Sequence, residues 1–192
     1  MAESRCRGSS EAGFSLAETI VATGIMLTGL IAAAQLFTIA MSSNMASKTQ
    51  TFAAVLAHEK MEQLRSLTWG FDNVGLPVSD YTSNITVDPP TATGGLGLTP
   101  SPANSLTENV DGYVDYVDAD GVTLGGGVNP EAGTAYVRRW SVEPLPTNPN
   151  NTLILQVFVF KVGTRGDDPD AEVIERRPDE ARLMTVKTRK SP

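Results

Sequence analysis

The chain has 192 residues, 15 Lys and Arg against 22 Asp and Glu, and a net charge of −7. That acidic balance excludes nonspecific binding to phosphate backbones, which needs clustered cations to displace counterions, so nucleic acid is not an expected partner. One cysteine, Cys6, and one histidine, His58, exclude an intrachain disulfide, a cysteine-rich metal site and a multi-histidine cluster.

Residues 1–13, MAESRCRGSSEAG, form a short polar leader in which Arg5 and Arg7 are the only cations and Cys6 is expected to have no structural role. From Phe14 to Met41 the chain is apolar, with one charge, Glu18. As a helix this run is about 42 Å long at about 1.5 Å per residue, enough to cross a hydrocarbon core of about 30 Å. A carboxylate at the centre of a bilayer costs about 2.5–3.5 kcal/mol on insertion scales, so Glu18 requires a partner or a shallow position. Ser15 and Glu18 have the spacing of a capping box, in which hydroxyl and carboxylate satisfy the orphan amides of a helix start. The flanks admit three readings. The run is an uncut anchor with Arg5 and Arg7 on the cytoplasmic side; or a secretory signal with Ala32 and Ala34 in an A-x-A arrangement and cleavage before Gln35; or it is cut at its front and kept.

The third reading rests on a specific pattern. Gly13, Phe14, a hydroxyl residue, an apolar residue and Glu18, ahead of an uncharged helix, resemble the class III signal of type IV pilins and of the pseudopilins of type II secretion. The resemblance implies that a prepilin peptidase cuts between Gly13 and Phe14 and methylates Phe14, leaving a cationic amine. It further implies that Glu18 pairs with the N-terminal amine of a neighbouring subunit during assembly. Misregistered packing would leave both charges unpaired in an apolar core. Many such pilins carry a proline within this helix. Here Gln35 lies in the corresponding region, with Gly24 and Gly29 as the local weak points, which fits a minor subunit better than a filament-building one.

Residues 42–69 continue the helix with an amphipathic pattern. Phe52, Ala53, Leu56, Ala57, Met61, Leu64 and Leu67 fall on one half, interrupted only by Lys60, and His58, Glu59, Glu62 and Arg65 fall on the other. His58 reads as a solvated helix residue, with Glu62 as a pair for both His58 and Arg65. The stretch LAHEKMEQLRSL also resembles the pilus protein V and pseudopilin I groups. The helix is expected to end near Trp69 and Gly70, followed by a loop, GFDNVGLPVSD, into a head covering residues 70–192.

Within the head, YTSNITV (81–87) reads as a strand, and residues 88–105 as an exposed, flexible insertion rich in Pro, Gly, Ser and Thr that builds no core. Its glycines, Gly94, Gly95 and Gly97, lack the Lys and hydroxyl of a phosphate-binding loop. In DGYVDYVDADG (111–121), Asp118, Asp120 and Gly121 fit three places of a calcium loop, which makes Asp118 and Asp120 the only metal candidates. Tyr116 stands where the first ligand belongs and Gly127 where the closing glutamate belongs, so a hairpin turn at 119–121 explains the same residues. Residues 134–145 and 152–162 read as antiparallel neighbours, the second a central strand with one face on the helix, and 181–189 as a last strand after the charged loop 163–180.

These readings give an α+β fold: a long N-terminal helix, transmembrane in its first half, with an antiparallel sheet on its second. The resemblance implies a non-enzymatic minor pilin, or alternatively a type II secretion pseudopilin. No cofactor is expected. The implied partners are other pilins, the prepilin peptidase and the inner-membrane assembly platform, and the implied location is the inner membrane with a periplasmic head, then the filament. From a different class, a secreted or anchored binding protein or hydrolase would use the apolar run only as an address.

Overall fold

A computed structural model describes residues 13–163 and 180–189. Residues 1–12 of the leader, with Cys6, and most of the charged loop 163–180 lie outside them. The chain divides into two compact units, Met1–Asn44 and Met45–Pro192.

One helix, α1 (Leu16–Ser66), begins in the first unit and ends in the second. It opens at a complete capping box: the Ser15 amide donates to Glu18 Oε2 at 3.3 Å and the Glu18 amide to Ser15 Oγ at 3.2 Å. Every side chain of residues 13–44 is exposed, including Phe14, Ile25, Leu30 and Phe37. The hydroxyls of Thr19, Thr23, Thr28 and Thr38 each donate to the carbonyl four residues back, so these polar groups do not need water. This helix is long and apolar enough to cross a membrane.

In the second unit, α1 turns Ala53, Leu56, Ala57, Lys60, Met61 and Leu64 inward. The face is the one expected from spacing. The helix ends at Ser66, short of the expected boundary, and Trp69 and Gly70 open a strand. β1 (Trp69–Phe71) and β2 (Pro77–Ser79) form a small antiparallel hairpin where the sequence reads as a loop. Asp72 makes the hairpin possible, because its Oδ1 accepts the amides of Val74 and Leu76 and closes the turn.

The main sheet has β3 (Val114–Val117), β4 (Thr123–Gly126), β5 (Tyr136–Pro144), β6 (Thr152–Lys161) and β7 (Glu180–Thr188) in the order β4-β3-β5-β6-β7, all neighbours antiparallel. As expected, β6 is an interior strand and its Leu153, Leu155, Val157 and Val159 meet the helix residues in one core with Trp140 and Val142. On the opposite face, Phe158 and Phe160 join Val114, Tyr116 and Val137 in a second cluster, with Leu106 against it.

Two expectations for the region before β3 are corrected. Residues 81–87 form no strand, only an isolated bridge between Asn84 and Thr91. Polar side chains take over the backbone there: Asp80 Oδ1 accepts the Thr82 and Ser83 amides and Asn84 Oδ1 the Thr86 amide, which competes with a ladder. The segment 88–105 does build core. Leu98 and Ser105 are fully buried, and the Ser101 amide donates to Val142 O at 2.9 Å, tying the segment to β5. Leu98→Ala is expected to lower the stability of this unit by about 2 kcal/mol or more, read from a urea midpoint, because it opens a cavity in a packed core. Were the segment a mere surface insertion, the midpoint would not move.

Candidate functional site

Two places among the described residues hold charged groups that the sequence singled out or that the fold buries. The first is the helix start, residues 13–18. Gly13, Phe14 and Glu18 are all exposed, and Glu18 is held by Ser15, its amide and hydroxyl both lying against Oε2. The capping role read from the sequence is therefore present in full.

The second is a charge cluster between α1 and the sheet, which spacing alone did not reveal. Lys60 is completely buried on the inner face of the helix, Asp115 on β3 and Arg138 on β5. Asp115 and Arg138 stand directly opposite each other in the β3–β5 register. The Arg138 guanidinium forks onto the carboxylate, Nε to Oδ1 at 2.7 Å and Nη2 to Oδ2 at 2.9 Å, while Lys60 Nζ reaches Oδ2 at 2.7 Å. Glu59, half-exposed, approaches Arg138 Nη1 at 3.4 Å and balances the second cation.

Lys60 has three acceptors for its three hydrogens: Asp115, Gln63 Oε1 at 2.6 Å and the carbonyl of Ile85. Its ammonium also lies 4.9 Å from the centroid of the Trp140 ring. One side chain thereby joins α1, β3, β5 and the segment before β3. Burial is the largest influence on Lys60 and lowers its pKa to about 8, against the opposing pull of Asp115, and Arg138 adds to the lowering. Burial also works against the Arg138 charge, but Asp115 and Glu59 outweigh it and raise the pKa above the usual arginine range.

The lowered pKa fixes the sign of a pH effect. Between about pH 8 and 10.5 the unfolded chain holds the Lys60 proton and the folded chain does not, so this group makes stability rise with pH across that window. Below about pH 8 its contribution is flat. In detergent, the stability of the native protein relative to Lys60→Met is expected to increase from pH 8 to pH 10; parallel curves would refute the assignment.

His58 is exposed, and Glu62 bonds Arg65 at 2.8 Å. Asp118 closes the hairpin turn between β3 and β4, its Oδ1 accepting the amides of Asp120 and Val122. Among the described residues no three His, Cys, Asp or Glu side chains gather as a metal site, and the Asp118–Asp120 pair has no third acid beside it.

The buried cluster escaped sequence reasoning because its partners are far apart in the chain. The signal that pointed to it was Lys60 itself, a lone cation inside an otherwise apolar stripe. The fold and these two sites define an α+β protein with one N-terminal helix able to cross a membrane and a sheet that covers the later part of that helix. No family model, curated protein or solved structure matches the chain.

Proposed function

We propose that this chain is a pilin-like structural subunit, a minor pilin or a type II secretion pseudopilin. It is made as an inner-membrane precursor, cut between Gly13 and Phe14, N-methylated on Phe14 and then assembled through its N-terminal helix. Its head lies in the periplasm before assembly and its partners are other subunits of the filament, the prepilin peptidase and the membrane assembly platform. It performs no catalysis.

The observation that carries this reading is the sequence from Gly13 to Glu18 at the head of an uncharged helix. Two features of the fold support it. Residues 13–44 leave a wholly exposed apolar surface that needs either lipid or other helices to cover it, and the later part of the same helix is built into a sheet. The lack of proline in the apolar run supports a minor role over a shaft-building one.

The mass of the N-terminal peptide from the native membrane fraction tests the proposal. A peptide starting at methylated Phe14 is expected. One starting at Gln35, or an intact leader, would refute it and favour a secreted or anchored binding protein or hydrolase.

A further inference from the structure

Between Leu16 and Ser42 every side chain is exposed, and the polar ones carry their own partners. The hydroxyls of Thr19, Thr23, Thr28 and Thr38 use the carbonyl four residues back, Ser42 uses Ile39 O at 3.0 Å, and Glu18 has its cap in Ser15. Gln35 is the exception: its carboxamide has no hydrogen-bond partner among the described residues. Lipid offers it none. With Glu18 at the edge of the hydrocarbon, about 20 residues of helix span the core, and Gln35 lies inside it. A helical side chain leans toward the helix N-terminus, so Gln35 is directed back into the core and away from the nearer water. An unsatisfied amide at that depth is costly and finds its partner on another helix.

Gln35 stands in a row. Gly24, Thr28, Ile31, Gln35, Thr38 and Ser42 recur at alternating steps of four and three, the spacing that keeps one face of a helix against a parallel partner. At about 100° per residue they fall within about 40° of one line, while Leu30, Ala33 and Phe37 fall on the opposite face. Glycine and short hydroxyl residues in the row let two backbones come close enough for an amide to bridge them. Because the hydroxyls are already bonded within their own helix, Gln35 is the group in the row that still requires a partner.

We propose that the chain pairs with a second copy of itself in the membrane, with the two helices parallel and Gln35 of each hydrogen-bonded to Gln35 of the other. Two properties select this occupant. A carboxamide is donor and acceptor at once, so two of them satisfy each other through reciprocal bonds from Nε2 to Oε1. Copies of one chain inserted the same way also hold Gln35 at one depth, and a twofold axis along the membrane normal sets each residue of the row against its own counterpart. Glu18 lies about 100° round the helix from Gln35, so the pair leaves it outside the contact. The inference rests on the apolar run being kept in the membrane, as in the pilin-like reading, and on nothing about the filament.

Oxidative crosslinking of single cysteines tests the pair, in the full-length chain in its own membrane with Cys6→Ser removing the native thiol. Ile31→Cys and Thr38→Cys are expected to give a disulfide-linked dimer, and Leu30→Cys and Phe37→Cys none. Adding Gln35→Leu to Ile31→Cys should lower the association constant, read by varying the protein-to-lipid ratio, about three- to thirtyfold, the range of an interhelical hydrogen bond in a membrane, while Gln35→Asn keeps the pair. Equal crosslinking on both faces, a Gln35→Leu variant that pairs like the native chain, or adducts only to another protein would overturn the self-pair. The N-terminal peptide from the same membranes separates the two readings. A chain that starts at Phe14 and does not pair defeats the pair alone, and a paired chain with its leader intact defeats the processing and leaves the pair standing.

Discussion

Asp115→Ala is expected to destabilise the second unit by about 3–5 kcal/mol, seen as a collapse of the urea midpoint, because it strands two buried cations. Lys60 and Arg138 are both fully enclosed and both lean on the one carboxylate. Removing it leaves Glu59, at 3.4 Å from Arg138 and half in water, as the nearest counter-charge. Lys60→Met should cost far less. It keeps the forked Arg138–Asp115 pair and lays an apolar stem of similar length against Trp140, losing the bonds to Gln63 and Ile85. If the two variants lost equal stability, the carboxylate would not be the hub of the cluster.

On the proposed pilin-like function, Glu18→Ala is expected to be processed at Phe14 and to enter filaments about tenfold less or worse. An unpaired buried charge costs about 3–5 kcal/mol and about 1.4 kcal/mol already corresponds to a factor of ten. Glu18 also caps the helix through Ser15, so alanine alone confounds two roles. Glu18→Gln separates them. Glutamine completes a capping box as glutamate does but carries no charge to pair with an amine. Assembly of the glutamine variant at the native level would leave Glu18 as a cap and nothing more, and quantifying the subunit in sheared filaments or in the purified pseudopilus decides between them.

Several elements were legible because their signals are local. The capping box and the apolar run lie within a few residues of each other, the inward face of α1 follows helical spacing, and β5, β6 and β7 announce themselves by alternation and β-branched residues. The turn at Asp118 was equally readable. Where sequence reasoning failed, side chains had intervened in the backbone: Asp72 turned an apparent loop into the β1–β2 hairpin, and Asp80 and Asn84 drew residues 81–87 out of a ladder.

The sequence by itself determined the α+β class, the helix able to cross a membrane, the position of the one acid in its apolar run, Glu18, and the strands β5, β6 and β7. Each follows from periodicity, length or adjacency, which a linear chain displays. Only the tertiary structure decided that Leu98, in a stretch rich in proline and glycine, belongs to the core, and that Lys60, Asp115 and Arg138 form one buried cluster. These depend on strand register and on packing between segments as distant as residues 60 and 115, and composition carries no record of which residues meet.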